Sequence, residues 1–261
     1  MNSYATFLVK ELVENLRAKR LLALVCVFMF FAVASPLLAR YIGEFFALLM
    51  PAGDDDAAQA LAAAFLGEPN WQESYAQFYG NIGQIGTLTV ILLFMGTILR
   101  EKRDGTADLV FTKGLSPSAF VLAKFTAAGL LTTATAVAAA LVCHAYTLLL
   151  FGSGARIGHA LLGALGLAVF LLMMLAVVTL CSALAKSAAA SAIMGLFAFL
   201  AFGFTSVIPR FGRFSPGSLM ASIPVETTLG GQAGDFAANV AVAAAMAALS
   251  LWGAARVTAT R

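Results

Sequence analysis

Apolar residues in this chain come in long unbroken runs, unlike the period-two alternation of a half-buried strand or the narrow stripe of a soluble amphipathic helix. Six stretches contain no Asp, Glu, Lys or Arg: residues 21–39, 82–99, 125–151, 158–184, 188–208 and 237–255. Each is 18 to 27 residues long, and about 20 apolar residues are enough to cross a bilayer as a helix. The two longest have room to tilt or to project beyond the hydrocarbon. A membrane barrel needs short segments alternating at period two, and these runs are continuous. The pattern predicts an all-α integral membrane protein, with six transmembrane helices in a single domain over residues 1–261.

A different periodicity precedes the first run. Tyr4, Phe7, Leu8, Leu12 and Leu16 recur at spacings of three and four, with Lys10, Glu14 and Arg17 largely between them. This predicts an amphipathic helix within residues 1–20, lying in the membrane interface and feeding the first span. Ala32-Val33-Ala34 resembles a signal-peptidase site. The apolar run continues to Ala39, however, and Glu11 and Glu14 precede it, so the first run is read as an uncleaved span.

Composition narrows the class. Of 261 residues, 61% are hydrophobic and 11% charged, against about 25% charged in ordinary soluble domains; mean hydropathy is +0.91. One soluble core of this size could not bury that much apolar surface, so a soluble enzyme, a disordered chain and a nucleic-acid binder all fit poorly. The net charge of +3 is too small to argue for a polyanionic partner. Cys26, Cys143 and Cys181 all fall in apolar runs and read as small buried hydrophobes, not as a disulfide or metal set.

Lys and Arg set the orientation. Six spans place both termini on one side, together with residues 100–124 and Lys186. That side carries twelve Lys and Arg, against four (Arg40, Arg156, Arg210 and Arg213) on the other. Both termini are therefore expected in the cytoplasm of a multi-pass cell-membrane protein. The 40–81 connection then lies outside. It is Ala-rich at 57–66, where a short helix is expected, and has a turn signal at Gly67-Glu68-Pro69-Asn70. Trp71, Tyr75, Phe78 and Tyr79 before the second span suggest an interfacial aromatic belt. The 209–236 connection is broken by Pro209, Pro216 and Pro224. It reads as a plain outer loop or as a re-entrant segment dipping Phe211, Phe214, Leu219 and Met220 into the outer leaflet.

Residues 100–118 are the most distinctive loop. Thr106 is a suitable N-cap with Asp108 in the first turn, Gly114 suits a C′ position, and Ser116-Pro117 restarts a helix with Ser as cap and Pro at its first position. A short capped helix bearing Leu109, Val110 and Phe111 suits docking to a partner; a helix resting on the bilayer is the plainer alternative. Glu101, Gly105-Thr106, Leu109, Thr112-Lys113-Gly114-Leu115-Ser116 and Lys124 together resemble the segment between the second and third spans of ABC-type exporter permeases, the type-2 permease superfamily. Gly114 stands where that family commonly has Pro, and Pro117 where it commonly has Arg. The resemblance implies a coupling helix that docks on a separate ATPase subunit, with Glu101, Arg103, Gly105, Thr106, Leu109, Phe111 and Lys113 as coupling residues. It also implies two such ATPase subunits carrying ATP and Mg, and a second permease copy or homologue beside this chain in the membrane lipid.

The chain holds no Gly-x4-Gly-Lys-Ser/Thr phosphate loop, so any ATPase is another chain. No nucleophile–base set, aspartate pair or His-Glu-x-x-His motif is present, and no metal site is expected. The spans carry no central charge, which disfavours a secondary carrier or proton pump. His144 is the central ionisable candidate; it reads either as a buried histidine bonded to a neighbouring helix or as a proton relay or substrate ligand. Thr87 and Thr97 are weaker candidates for lining a path, or for bonding across helices. The reading is a transmembrane permease subunit of an ATP-driven exporter. A non-transporting membrane scaffold or sensor is the alternative, and a secondary carrier is less favoured.

Overall fold

The structure is a computed structural model of the chain, and it describes residues 3–49, 70–112, 114–152, 154–207, 215–219 and 233–260. Helix α1 (Ser3–Arg17) is followed by Lys19 in a left-handed conformation, φ 56°, where the chain turns into α2 (Arg20–Leu49). The second span is segmented. It starts with α3 (Trp71–Asn81), passes through a π-helical turn (Ile82–Gly86), continues as α4 (Thr87–Phe94) and ends as α5 (Leu99–Arg103). A short helix, α6 (Thr106–Thr112), leads to α7 (Pro117–Phe151). Then come α8 (Ile157–Leu184), α9 (Ala188–Val207), a 3-10 turn (Pro216–Leu219) and α10 (Ala233–Ala259). Six helices are long and apolar enough to cross a membrane, so the expected all-α, six-span class is the observed one.

Helix α8 is the central post. It packs against α10, α7, α9 and α4, and its buried face includes Phe170, Leu171, Met173 and Met174. Phe28 of α2, Phe78 of α3 and Phe94 of α4 complete the larger apolar cluster. A smaller one gathers Phe7, Ile98, Phe120 and Ala254 at the end where α1, α5, α7 and α10 meet. Helices α9 and α10 leave most of their apolar length uncovered, including Phe197, Phe204, Leu249 and Trp252, as lipid-facing or partner-facing helices do.

Several expectations need correction. The connection expected at 40–81 is shorter, because α2 runs to Leu49 and the second span begins at Trp71. Asn70 starts that helix by accepting from the Glu73 N–H at 2.7 Å. Tyr75, Phe78 and Tyr79 do not form an outer belt: they are buried, because the polar residues interleaved with them ride on a helix that packs into the bundle. Tyr79 donates to the Ala160 carbonyl at 2.7 Å. Its ring lies where a Cβ on Gly163 would stand, so any larger residue there would have to displace the ring. Trp71 stacks on His159. Cys143 and Cys181 are buried, but Cys26 is exposed on α2. In the last connection Leu219 is buried against the helices, and Ser218 receives the Asn239 side-chain N–H at 2.7 Å; Leu219 is therefore held by protein. The helix expected at 57–66, and Phe211, Phe214 and Met220, lie outside the described residues.

Candidate functional site

At the end of the bundle that holds α1, α5, α6 and the start of α7, four charged side chains converge. Lys124 of α7 is 2% exposed. Its ammonium bonds Glu11 Oε2 of α1 at 2.9 Å and Glu101 Oε1 of α5 at 2.8 Å. Lys10 reaches the same Glu101 oxygen at 2.9 Å and Glu11 Oε1 at 3.0 Å, with Glu14 at 3.1 Å outside. Isolated buried charges are costly, and such a cluster persists only because each member is answered by the others. Phe7 and Phe120 line it, with the Lys124 ammonium 5.7 and 5.2 Å from their ring centres. The carboxylates of Glu11, Glu14 and Glu101 come close enough together to share a cation, and the cations that answer them are Lys10 and Lys124. For Lys10, burial acts to lower the pKa, but the hydrogen bond to Glu101 and the charge of Glu11 outweigh it and hold the ammonium above the ordinary lysine range.

The cluster explains an unusual helix. In α1 the residues turned to the protein are Phe7, Glu11 and Asn15, spaced four apart, while Val9, Val13 and Leu16 are exposed. The stripe facing the bundle is thus partly polar. Asn15 Oδ1 accepts from Arg20 at 2.6 Å. A second apolar stripe is left for another surface.

Just inside the cluster, the second span breaks. Residues 95–98 form turns, and Thr97 donates to the Phe94 carbonyl. The N–H groups of Ile98 and Leu99, which a continuous helix would bond to earlier carbonyls, are accepted instead by Ser182 Oγ of α8 at 3.1 and 3.2 Å. A neighbouring helix therefore supplies the cap that the break requires.

Glu101 leads directly into α6. Gly105 and Gly114 bracket that helix with φ of 69° and 85°, left-handed conformations that glycine adopts without steric cost. Gly114 occupies the expected C′ place, its N–H bonding the Phe111 carbonyl at 3.0 Å. Ser116 caps α7 by accepting from Ala119 N–H, with Pro117 first in the helix. Thr106 is not the N-cap: it is the first helical residue, and its hydroxyl donates to the Glu101 carbonyl.

The sequence-derived candidates split into faces. Glu101 is in the cluster. Phe111 turns inward, with its ring 5.4 Å from Phe120. Leu109, 64% exposed, points away from the bundle, and Arg103, Gly105 and Thr106 are exposed. Lys113 lies outside the described residues. The three path candidates do not form one site. Thr87 and Thr97 return their hydroxyls to carbonyls of their own span. His144 Nδ1 meets Tyr75 Oη at 2.5 Å, which is the histidine-to-neighbouring-helix arrangement. Sequence reasoning missed Lys10, Glu11 and Ser182 as functional neighbours of the loop. Their partners lie 91, 113 and 83 residues away, and the only hint was opposite charges closing adjacent spans.

These features define a six-span helical membrane domain with a short, glycine-hinged helix anchored at one end by buried ion pairs. Residues 56–256 match the family described as ABC-2 family transporter protein. The chain belongs to that family and is a transporter membrane component. No curated protein matches it.

Proposed function

We propose that the chain is the permease subunit of an ATP-driven ABC exporter, with both termini in the cytoplasm of the cell membrane. It would pair with a second copy or a homologous permease, and substrate would pass between the two. Two separate ATPase subunits would bind ATP and Mg. Helix α6 would be the coupling helix: ATP-driven closure of the ATPase pair moves α6, and the paired bundles alternate between inward-facing and outward-facing states. This chain would couple and conduct without hydrolysing ATP. The exposed apolar stripe of α1 (Val9, Val13 and Leu16) suits the membrane interface.

The observation that carries this reading is that α6 presents Leu109 outward while the residues at its back are fastened. Phe111 packs on Phe120, and Glu101, four residues before Gly105, is ion-paired to α1 and α7. A displacement of α6 thus reaches three elements at once. The test is purification of the tagged chain in mild detergent from its native cells, with mass spectrometry of co-purifying proteins. An ABC ATPase at near-equal amount, lost in the Leu109→Asp variant, is the expected result. Recovery of the chain alone, even after cross-linking at Lys113, would overturn the coupling reading in favour of a membrane scaffold or sensor.

A further inference from the structure

Behind α6 lies a cavity of about 350 Å³, bounded by α5, α6, the end of α8 and the end of α10. Its size is at the lower end of the roughly 300–1,000 Å³ typical of small-molecule sites. Leu99, Ala107 and Phe111 make an apolar wall, and Lys102, Arg103 and Lys186 converge on it against one acid, Asp108. Cations near the ends of α8 and α10 would answer the negative helix termini, and Lys102 does so, donating to the Val257 carbonyl at 3.4 Å. Arg103 and Lys186 do not: both are exposed, and neither forms an ion pair among the described residues. The depth of the cavity is marked on α10, where Arg256 lies over the ring of the exposed Trp252, 5.1 Å from its centre. Such Trp–cation pairs sit at the headgroup level of a bilayer. Leu184, two residues before Lys186, is exposed at the end of α8.

Two exposed cations at one cavity, an apolar wall and headgroup depth suit an amphiphilic anion. We propose that this cavity binds the phosphate of an anionic phospholipid from the cytoplasmic leaflet, with Arg103 and Lys186 as its ligands. Basic pockets between spans on the cytoplasmic side take such headgroups. The leaflet rests on the orientation proposed above; the site itself rests on the geometry alone. Bound there, the lipid touches the inner side of α6 and opposes the outer side that carries Leu109.

The test is native mass spectrometry of the full chain, delipidated in detergent and titrated with dioleoylphosphatidylglycerol, dioleoylphosphatidylcholine or inorganic phosphate. We expect one phosphatidylglycerol to bind at least fivefold more tightly than phosphatidylcholine. The Arg103→Gln/Lys186→Gln double variant should lose that preference, while Arg40→Gln, at the far end of α2, keeps it. Both substituted side chains are exposed, so the fold should survive. Equal phosphatidylglycerol binding by wild type and double variant would overturn the site. Displacement of the lipid by inorganic phosphate at equal concentration would overturn the lipid as its occupant. A Lys186→Cys chain labelled by an impermeant maleimide from outside intact cells would overturn the cytoplasmic leaflet and the orientation together, leaving the detergent result to judge the site separately.

Discussion

Lys124 and Glu11 are 113 residues apart in sequence and 2.9 Å apart in space, and their contact ties the N-terminal helix to the start of the third span. Removing one member of a buried pair strands the other, at a cost of about 3–5 kcal/mol. Lys124→Met, which keeps the volume and removes the charge, is expected to destabilise the detergent-solubilised chain by that order in denaturant unfolding. Glu11→Gln in the same chain should add less than its cost alone. Strict additivity of the two would mean the pair is not coupled.

The break in the second span gives a separate prediction. Ser182→Ala leaves the N–H groups of Ile98 and Leu99 buried without an acceptor. Each unsatisfied group costs about 1–3 kcal/mol. A fall in thermal stability is expected, with Ser182→Thr retaining most of it. Hydrogen exchange at Leu99 provides the local readout: protection should drop in the alanine variant and persist in the threonine one.

Gly163 and Tyr79 form a steric pair. Gly163→Ala places a methyl against the Tyr79 ring and should cost about 1–3 kcal/mol, the usual range for overpacking. In a Tyr79→Ala background the same change should be nearly neutral, because the ring it meets is gone. A cost that survives the background change would locate the strain elsewhere.

The Lys10 ammonium titrates above the ordinary lysine value near 10.5. A group whose folded pKa is raised contributes stability below its unfolded pKa and loses it as pH rises through the folded value. The stability difference between wild type and Lys10→Gln should therefore be constant at neutral pH and shrink only above about pH 10.5. Melting temperatures of both chains across the alkaline range measure it. A difference that shrinks on acidification instead would assign it to the carboxylates.

Leu109→Asp should leave the melting temperature within error, since the side chain is exposed and surface changes away from special features stay within about 0.5 kcal/mol. Mixed with the ATPase proposed above, the variant should fail to support substrate-stimulated hydrolysis. A melting shift without loss of stimulation would mean that Leu109 packs in the fold.

The spans were legible because lipid imposes a crude filter: a helix with no charge for about 20 residues needs no knowledge of its neighbours. The turn chemistry around α6 was legible for the same local reason, with Gly114, Ser116 and Pro117 acting on their own backbone. The start of the second span was hidden by Gln72, Glu73 and Gln77, polar residues that lower the apolar signal although Tyr75, Phe78 and Tyr79 between them are core. In α1 the period-3.6 pattern put Phe7 and Leu16 on one face turned to the membrane interface, whereas Phe7 packs in the protein beside Glu11 and Asn15 and Leu16 is exposed; the group that makes burying Glu11 tolerable sits on α7. The Ser182 cap was equally invisible, since nothing near residue 182 refers to a break at residues 95–98. Long-range polar pairing leaves no periodic trace.

The ion cluster also sets an order on biogenesis. Glu11 and Glu101 are both synthesised before Lys124. During that interval Lys10 is the only member of the cluster able to answer both carboxylates, and it lies on the helix that precedes every span. The third span then arrives carrying the remaining counter-charge near its own beginning. Its insertion closes a ring that the first two spans leave open, so the N-terminal helix is locked down by a later segment and not by its immediate successor. A chain ending before residue 124 would hold α1 by Lys10, the Asn15–Arg20 hydrogen bond and apolar contacts, with Glu11 and Glu101 lacking their buried counter-charge.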